Sequence, residues 1–252
     1  MQGLMMNMPL LISSVMEHAE RHHPHAEIVS RRTEGDIHRT TYGKVAKRTK
    51  QLANTLTALG VQQGENIATL AWNGYRHVEI YYAVSGMGAV VHTLNPRLFP
   101  EQLVYIINHA KDTMVFFDST FAPLVKAIAP ACPTVKRWVQ MCDEAAMPAE
   151  PAVAGCLNYE ALIKDASEQY VWPQLDENAA SGLCYTSGTT GNPKGALYSH
   201  RSTVLHAMAA CTPDALGLSS RDTILPVVPM FHVNAWGIPY IALMTGAKMV
   251  MP

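Results

Sequence analysis

The chain has 252 residues, 48% of them hydrophobic and 15% charged, which is enough apolar material for one large domain or two small ones. Its formal net charge of −1 argues against a nucleic-acid-binding protein, which would present clustered basic residues. Five cysteines without a C-x-x-C pair indicate reduced thiols and a cytoplasmic protein, and no apolar run reaches the ~18 residues of a membrane-spanning helix.

Apolar periodicity predicts alternating helices and strands in the N-terminal half. Residues 1–16 are rich in Met and Leu but lack a basic leader region, so we expect an amphipathic helix rather than a signal peptide. Helices are then predicted at 44–59, 76–86, 100–110 and 121–128, and strands at 66–70, 89–94, 114–117 and 135–139. This alternation predicts an α/β fold with a parallel sheet covered by helices, whose strands end on one side near Trp72, Asn95 and Asp118.

The C-terminal half begins after an Ala- and Pro-rich stretch, residues 145–156, which we interpret as a surface loop. Strand-forming residues then precede and follow a glycine-rich segment, at 182–185 and 196–198. Beyond them we predict a helix starting near Ser199 and His200, a strand at 223–227, a helix starting near Val233 and a strand at 247–251.

The segment between the first two of these strands, Tyr-Thr-Ser-Gly-Thr-Thr-Gly-Asn-Pro-Lys-Gly at 185–195, has the composition of an anion-binding loop. Its glycines can expose successive backbone N–H groups, its hydroxyls add donors, and Lys194 adds a positive charge. A flexible linker would have no reason to carry Pro193, Lys194 and Gly195 between apolar strands. A Walker A loop also fits poorly, because Pro193 and Gly195 replace its glycine and its Ser/Thr. We therefore predict a polyphosphate-binding hairpin.

Two motifs connect this chain with a known family. Residues 185–195 resemble the AMP-binding signature of adenylate-forming acyl-CoA synthetases, a superfamily that includes luciferases and peptide-synthetase adenylation domains. Residues 229–237, Pro-Met-Phe-His-Val-Asn-Ala-Trp-Gly, resemble the next motif, in the form found in medium- and long-chain fatty-acyl-CoA ligases. The likeness extends back to residues 41–43 and 95–97. It implies a layered α/β N-terminal domain with a hairpin phosphate-binding loop.

The resemblance implies a two-step acid–thiol ligase. ATP and a carboxylic acid, here a fatty acid, would give an acyl-adenylate and pyrophosphate, and CoA would then displace AMP. Mg²⁺ would accompany ATP, and Thr186 would help to hold it, although magnesium usually takes a carboxylate. The family's phosphate contacts correspond to Thr186, Ser187, Gly188, Thr189, Thr190, Gly191 and Lys194.

Two residues of the second motif are candidates for the acid site. By resemblance His232 is the catalytic residue between the acyl carboxylate and the nucleotide, where an imidazole could donate a hydrogen bond to the mixed anhydride. The alternative is a histidine satisfied within the core, because the preceding run is apolar. Trp236 is four residues later and would share a helical face with His232. It would border the acyl path, or alternatively pack in the core.

Members of this family are considerably longer than this chain. The resemblance therefore implies an incomplete N-terminal AMP-binding domain at 1–252, without the C-terminal lysine domain. Within it we expect a first α/β unit at about 40–144, a connecting segment at about 145–180 and a phosphate-loop unit at about 181–252. We expect these residues by themselves to be inactive, and an incomplete sheet edge to favour a homodimer or aggregation.

Two other functional classes stay open from the residues alone. The chain could be a non-catalytic nucleotide-binding remnant or regulatory binding module, or a nucleotide hydrolase that shares only a glycine loop. The histidines at 22, 23 and 25 lack a neighbouring carboxylate or a helical i,i+4 pair, so we interpret them as a solvated loop rather than a metal site. Cys184 has the position of a buried strand residue and not of a nucleophile.

Overall fold

Two β-sheets organise the computed structural model, which describes residues 1, 3–186 and 192–252. The larger sheet has seven strands, β3 (Asn66–Leu70), β4 (Val90–Thr93), β5 (Met114–Asp118), β6 (Arg137–Met141), β7 (Leu157–Asn158), β8 (Ala180–Thr186) and β9 (Lys194–Ser199). Their order is β7-β6-β5-β3-β4-β8-β9. Neighbours are parallel apart from the antiparallel pair of β8 and β9. The sheet is thus the predicted parallel sheet with a hairpin at one edge.

The smaller sheet has four strands in the order β10-β11-β1-β2, namely β10 (Thr223–Ile224), β11 (Lys248–Met251), β1 (Glu27–Arg31) and β2 (Ile37–Thr41). Strands β1 and β2 form a hairpin whose turn contains Gly35 at φ +99°, a conformation that favours glycine. The sequence pattern did not predict this hairpin. Strand β10 is shorter than the predicted 223–227, because Pro226 has no N–H for a ladder hydrogen bond.

Helices cover both faces of the large sheet. They are α1 (Ile12–His22), α2 (Tyr42–Ala58), α3 (Tyr75–Gly86), α4 (Pro100–Ala110), α5 (Ala122–Ile128), α6 (Tyr159–Ile163), α7 (His200–Ala210) and α8 (Ile238–Thr245). Helices α4 and α5 pack on one face, and the other six share a second core with residues of both sheets. The predicted layered α/β arrangement is confirmed. No helix in the described part of the chain has the length and apolarity needed to cross a bilayer.

The N-terminal helix does not lie where the composition predicted it. Instead of residues 1–16, helix α1 covers Ile12–His22 and buries Ile12, Val15, Met16 and Ala19. Pro9 and the residue before it favour extended backbone, so a regular helix forms only beyond that point. The spacing i, i+3, i+4 and i+7 of the four buried residues is that of one helical face.

The carboxyl ends of the parallel strands meet as expected. The backbone N–H of Trp72, just after β3, donates to the Asp118 carboxylate at the end of β5, with N and Oδ2 2.7 Å apart. Helix α3 starts close by and is buried along its whole length. Its charged residues are paired: Arg76 with Glu34, Asp143 and Glu160, and Glu79 with Arg48. A buried charge without such partners would be strongly destabilising.

A buried histidine on α3 makes the stability of the chain depend on pH. His77 is 1% exposed, and its Nδ1 and Nε2 lie 2.9 Å from the Trp72 carbonyl and the Thr69 hydroxyl. A carbonyl can only accept, so Nδ1 carries the proton and Nε2 accepts from Thr69. Burial lowers the pKa of His77 from 6.5 to about 4. The folded state therefore keeps a neutral ring that the unfolded chain would protonate.

We expect the free energy of unfolding of His77→Gln to fall less on acidification than that of the wild-type chain. Because the folded-state pKa is lowered, the stabilising contribution is complete above about pH 6.5 and is lost as the pH falls towards 4. For this one group the loss amounts to about 3 kcal/mol. Denaturant unfolding at about pH 7 and pH 4 measures the difference, with exposed His25→Gln as control. Equal pH dependence in both variants would contradict the assignment.

Candidate functional site

The glycine-rich segment lies between two paired strands. Strands β8 and β9 are antiparallel, and Thr186 is directly opposite Lys194 at their ends. The Thr186 hydroxyl and the Lys194 carbonyl oxygen are 3.4 Å apart, and both side chains are exposed. Strand, not helix, begins at Lys194, and α7 starts only at His200. The predicted strands on both sides are confirmed, which removes the Walker-type alternative. The candidate residues Ser187, Gly188, Thr189, Thr190 and Gly191 lie outside the described residues.

Gly195 permits close contact across this hairpin. It pairs with Tyr185, and a Cβ atom built on Gly195 would lie 3.2 Å from two atoms of the Tyr185 ring. A side chain at this position would require the ring to shift by a few tenths of an ångström, which gives a steric reason for glycine beside Lys194. Pro193, on the other side of Lys194, is buried. The lysine is therefore held between an anchored proline and a closely packed glycine.

The second motif is anchored by the end of β3 and by α3. Asn73 is buried; its amide nitrogen donates to the Pro226 carbonyl at 2.9 Å, and its amide oxygen accepts from Met230 N at 2.6 Å. The Tyr81 hydroxyl donates to the Met230 carbonyl at 2.6 Å. These bonds fix the backbone just before His232, whose own side chain is exposed.

The predicted helix from Val233 is wrong in this segment. Val233, Asn234, Ala235 and Trp236 have φ between +46° and +54°, so the chain makes a left-handed turn and the right-handed helix α8 begins at Ile238. The i,i+4 argument for a shared face of His232 and Trp236 assumes a right-handed helix and does not apply. Left-handed backbone costs about 1–2 kcal/mol per non-glycine residue, so neighbouring contacts must offset this strain.

Two contacts tie down the left-handed turn. The Cys184 thiol lies 2.6 Å from the amide oxygen of Asn234, and His206 Nε2 lies 3.0 Å from the Trp236 carbonyl. Burial raises the pKa of the Cys184 thiol, so this cysteine is a hydrogen-bond donor on a strand, in agreement with its predicted buried position. Cys184 precedes Thr186 by two residues of β8, roughly 7 Å of strand. The two sequence motifs therefore meet through β8.

Aromatic rings pack against one another at Phe231 of the second motif. Phe231 is buried, with its ring centre 6.0 Å from that of Trp72 and 5.8 Å from the guanidinium carbon of Arg97. Arg97 follows β4, and Trp72 follows β3, so two neighbouring strand ends contribute to one region. Trp236 is 58% exposed and does not belong to the core. The core-packing alternative for Trp236 therefore has no support in its burial.

Asn73, Tyr81 and Arg97 were not among the candidate residues from the sequence. The signal for Asn73 was its position directly after a parallel strand, where polar residues of α/β sheets often bind ligands. Arg97 belongs to the 95–97 segment of the resemblance. Tyr81 has no signal in the sequence, because it lies within the apolar run 80–84 of α3 and acts only through its hydroxyl.

A cavity of about 180 Å³ opens at the same edge of the sheet, next to this region. Its walls include Trp72, Asn73, Arg76, Asp118 and Met141. Burial raises the pKa of Asp118 to about 7, so this carboxyl exchanges its proton near neutral pH. In the part of the chain that the structure describes, no group of three or more His, Cys, Asp or Glu side chains is arranged to hold a metal ion.

Comparisons with known proteins agree with this geometry. The family model described as AMP-binding enzyme matches residues 16–252. The chain is 56% identical to the 3-methylmercaptopropionyl-CoA ligase of Ruegeria lacuscaerulensis, covering 100% of this chain and 47% of that protein. It is 54% identical to the medium-chain-fatty-acid–CoA ligase of Ectopseudomonas oleovorans, covering 100% and 46%. The chain thus spans about half the length of the curated relatives it matches.

Solved structures show the same fold. The anthranilate CoA ligase AuaEII in complex with anthranoyl-AMP superposes with a TM-score of 0.87 at 21% identity, covering 100% of this chain and 46% of that one. The inhibitor-bound N-terminal domain of FACL13 from Mycobacterium tuberculosis superposes with a TM-score of 0.81 at 24% identity, covering 95% and 56%. At these identities the likeness concerns the fold.

Proposed function

Because this chain belongs to the AMP-binding enzyme family, we propose that it forms the phosphate- and acid-binding part of an acyl-CoA ligase. In the first step a carboxylate oxygen attacks the α-phosphorus of ATP, and the bond to the bridging oxygen of pyrophosphate breaks. In the second step the CoA thiolate attacks the acyl carbonyl carbon, and AMP leaves. Such reactions depend on orientation and charge neutralisation rather than on a protein nucleophile.

One observation carries this proposal. Strand β8 connects Cys184, which bonds to the turn after His232, with Thr186, which is opposite Lys194. The proposed phosphate-binding groups and the candidate acid-binding histidine are therefore connected through one strand. A reaction between a carboxylate and the phosphate chain of ATP needs these two sets of groups side by side.

Lys194 and the segment 186–191 are our proposed contacts for the phosphates of ATP. Lys194 is exposed at the tip of an antiparallel hairpin, and Thr186 adds a hydroxyl opposite it. We assign Mg²⁺ to the MgATP substrate, where it keeps phosphate and water ligands. Thr186 is the residue we propose nearest to that ion.

His232 is our proposed contact for the acid at the reacting centre. Its backbone follows the anchored residue Met230, while its side chain is exposed and can reach a ligand. An imidazole N–H in this position could donate to the acyl carboxylate and to the mixed anhydride. We propose an acid with an apolar chain, since the relatives at 47–56% identity are ligases of 3-methylmercaptopropionate, medium-chain and long-chain fatty acids.

We propose that the chain consists of a first α/β unit at about 40–144, a connecting segment at about 145–180 and a phosphate-loop unit at about 181–252. Strands β4 and β8, one from each end unit, pair within the large sheet. We also keep a cytoplasmic location, CoA as co-substrate and a homodimer as parts of the proposal. Cell fractionation tests the location, detection of acyl-CoA tests the use of CoA, and the mass in solution tests the homodimer.

Trp236→Ala tests the acyl path. Trp236 is exposed while its backbone is held by His206, so its ring is available to an acyl chain. We expect a graded change of preference across acids from propionate to palmitate, because a methylene in an apolar pocket contributes about 1 kcal/mol. The affinity for ATP should stay nearly constant. Val171→Ala, which removes another exposed side chain, is the control. A profile that is merely scaled down for every acid would make Trp236 a packing residue.

Acid-dependent exchange between ATP and pyrophosphate tests the proposed function itself. The gene product that carries this sequence is incubated with MgATP, labelled pyrophosphate and a panel of fatty acids. We expect label in ATP only when an acid is present, and acyl-CoA after CoA is added. Orthophosphate release without an acid would instead indicate a nucleotide hydrolase. Binding of ATP with no exchange for any acid would favour a non-catalytic binding module.

A further inference from the structure

Tyr185 lies next to the tip of the proposed phosphate-binding hairpin and connects it to helix α4, which packs on one face of the large sheet. It is the residue before Thr186 in β8, and its half-buried ring lies over Gly195 of β9. Its hydroxyl is 2.6 Å from Nδ1 of His109, in the last turn of α4. A single side chain thus contacts both strands of the hairpin and bonds to α4.

Among the described residues, the ends of β8 and β9 next to the hairpin tip have few contacts besides the packing of Pro193 and Gly195. Strand β9 is at the edge of the seven-stranded sheet, where one side of its backbone has no neighbouring strand among the described residues. Thr186, Lys194 and Gly195 are all exposed. Edge strands with little packing are the parts of a sheet that open most easily. The Tyr185–His109 bond is therefore well placed to hold the tip.

The inner side of the Tyr185 ring faces a buried, hydrogen-bonded pair, His92 and Asp112. His92 and Asp112 are both 0% exposed, with Nδ1 of His92 2.9 Å from the Asp112 carboxylate. The His92 ring centre is 5.2 Å from that of Tyr185. Burial, followed by the nearby charge of Asp112, raises the pKa of the Tyr185 phenol, so the hydroxyl keeps its proton. The Tyr185 ring therefore packs against the buried His92 on one side, and its hydroxyl forms a hydrogen bond with His109.

We propose that Tyr185 is a positioning residue, which through its bond to His109 keeps Thr186 and Lys194 oriented for the phosphates of ATP. This inference rests on the proposed function for the identity of the ligand. It assigns Tyr185 no contact with ATP. Loss of the bond should loosen the hairpin tip and weaken ATP use, while the acid site, which is anchored by Asn73 and Tyr81, stays intact.

The test uses two mild variants and their combination in the gene product that carries this chain. Tyr185→Phe removes only the hydroxyl, and His109→Ala changes an exposed residue, so both should fold. Tyr198→Phe is the matched control, since Tyr198 belongs to the same hairpin and its hydroxyl has no hydrogen bond within the described part of the chain. We measure the Michaelis constants for ATP and acid, and hydrogen exchange of the peptides that cover β8 and β9.

We expect each single variant to raise the Michaelis constant for ATP about three- to tenfold, with the constant for the acid unchanged. The double variant should be no worse than the singles, because both remove the same bond. Amide exchange should accelerate in residues 185–195 and stay constant in α3. Variants that match Tyr198→Phe would overturn the inference, as would additive effects or faster exchange along the whole chain. If the wild-type protein shows no acid-dependent exchange between ATP and pyrophosphate, the proposed function fails. Hydrogen exchange of the backbone amides then decides by itself whether Tyr185 holds the hairpin tip.

Discussion

Lys194→Ala should raise the Michaelis constant for ATP about ten- to a hundredfold while the constant for the acid changes little. The reason is the loss of a charge-assisted contact, which contributes about 1.5–3 kcal/mol. Lys194 is exposed at the end of β9 opposite Thr186, so its removal leaves no cavity in the core. Steady-state kinetics with ATP varied at saturating acid measure the effect directly.

Two further variants make the Lys194 result specific. Lys126→Ala removes another exposed lysine, on α5, and should leave both constants unchanged. Lys194→Arg keeps the charge and should recover part of the affinity, although its planar fork cannot reproduce the compact ammonium. Wild-type constants in Lys194→Ala would make this lysine a surface residue and would remove it from the proposed site.

Asn73→Leu should nearly abolish adenylate formation. The substitution keeps the approximate size of the side chain but removes the amide that bonds to Pro226 and Met230. One buried carbonyl and one buried N–H would then lack partners, which costs about 2–5 kcal/mol in total. We expect the segment before His232 to lose its attachment at the end of β3. Acid-dependent exchange between ATP and pyrophosphate should then fall roughly a hundredfold, because a reacting group is misplaced.

Thermal unfolding separates this effect from a general loss of structure. Asn178→Leu, at an exposed position, is the control and should change neither exchange activity nor stability. In Asn73→Leu, amide exchange should accelerate in residues 226–237 before it does so in α3. Full activity with a lowered melting temperature would mean that Asn73 supports the fold without positioning the acid site.

The local patterns of this sequence were sufficient for much of the large sheet. Strand β3 and helix α4 were predicted with the bounds that the structure has, because each combines regular periodicity with clear ends. Pro100 suits the first turn of α4, and the helix ends at Ala110, followed by Lys111 in a left-handed conformation. The strands around the glycine-rich segment were also predicted, since their apolar residues lie directly beside it. In these cases the information is contained within a few neighbouring residues.

The sequence patterns gave wrong or missing predictions of secondary structure where contacts with distant residues determine the backbone conformation. The residues after His232 appeared helical, yet they form a left-handed turn held by Cys184 and His206 from two other elements. The β1–β2 hairpin also went unpredicted, because its strands are short and one of them pairs with β11, more than half the chain away. Helix α3 is buried along its whole length although it carries charges, because its Arg76 pairs with carboxylates from two loops and from α6.

The sequence by itself therefore determined the family, the parallel α/β fold and the hairpin motif with Thr186 and Lys194, because these depend on residues close together in the chain. Only the tertiary structure decided how the two motifs are joined through β8, which residues anchor His232, and that Tyr185 bonds to His109. Those features depend on contacts between residues separated by 50 to 157 positions. Such contacts leave no periodic trace, since a single hydrogen bond imposes no regular spacing on either of the segments that it connects.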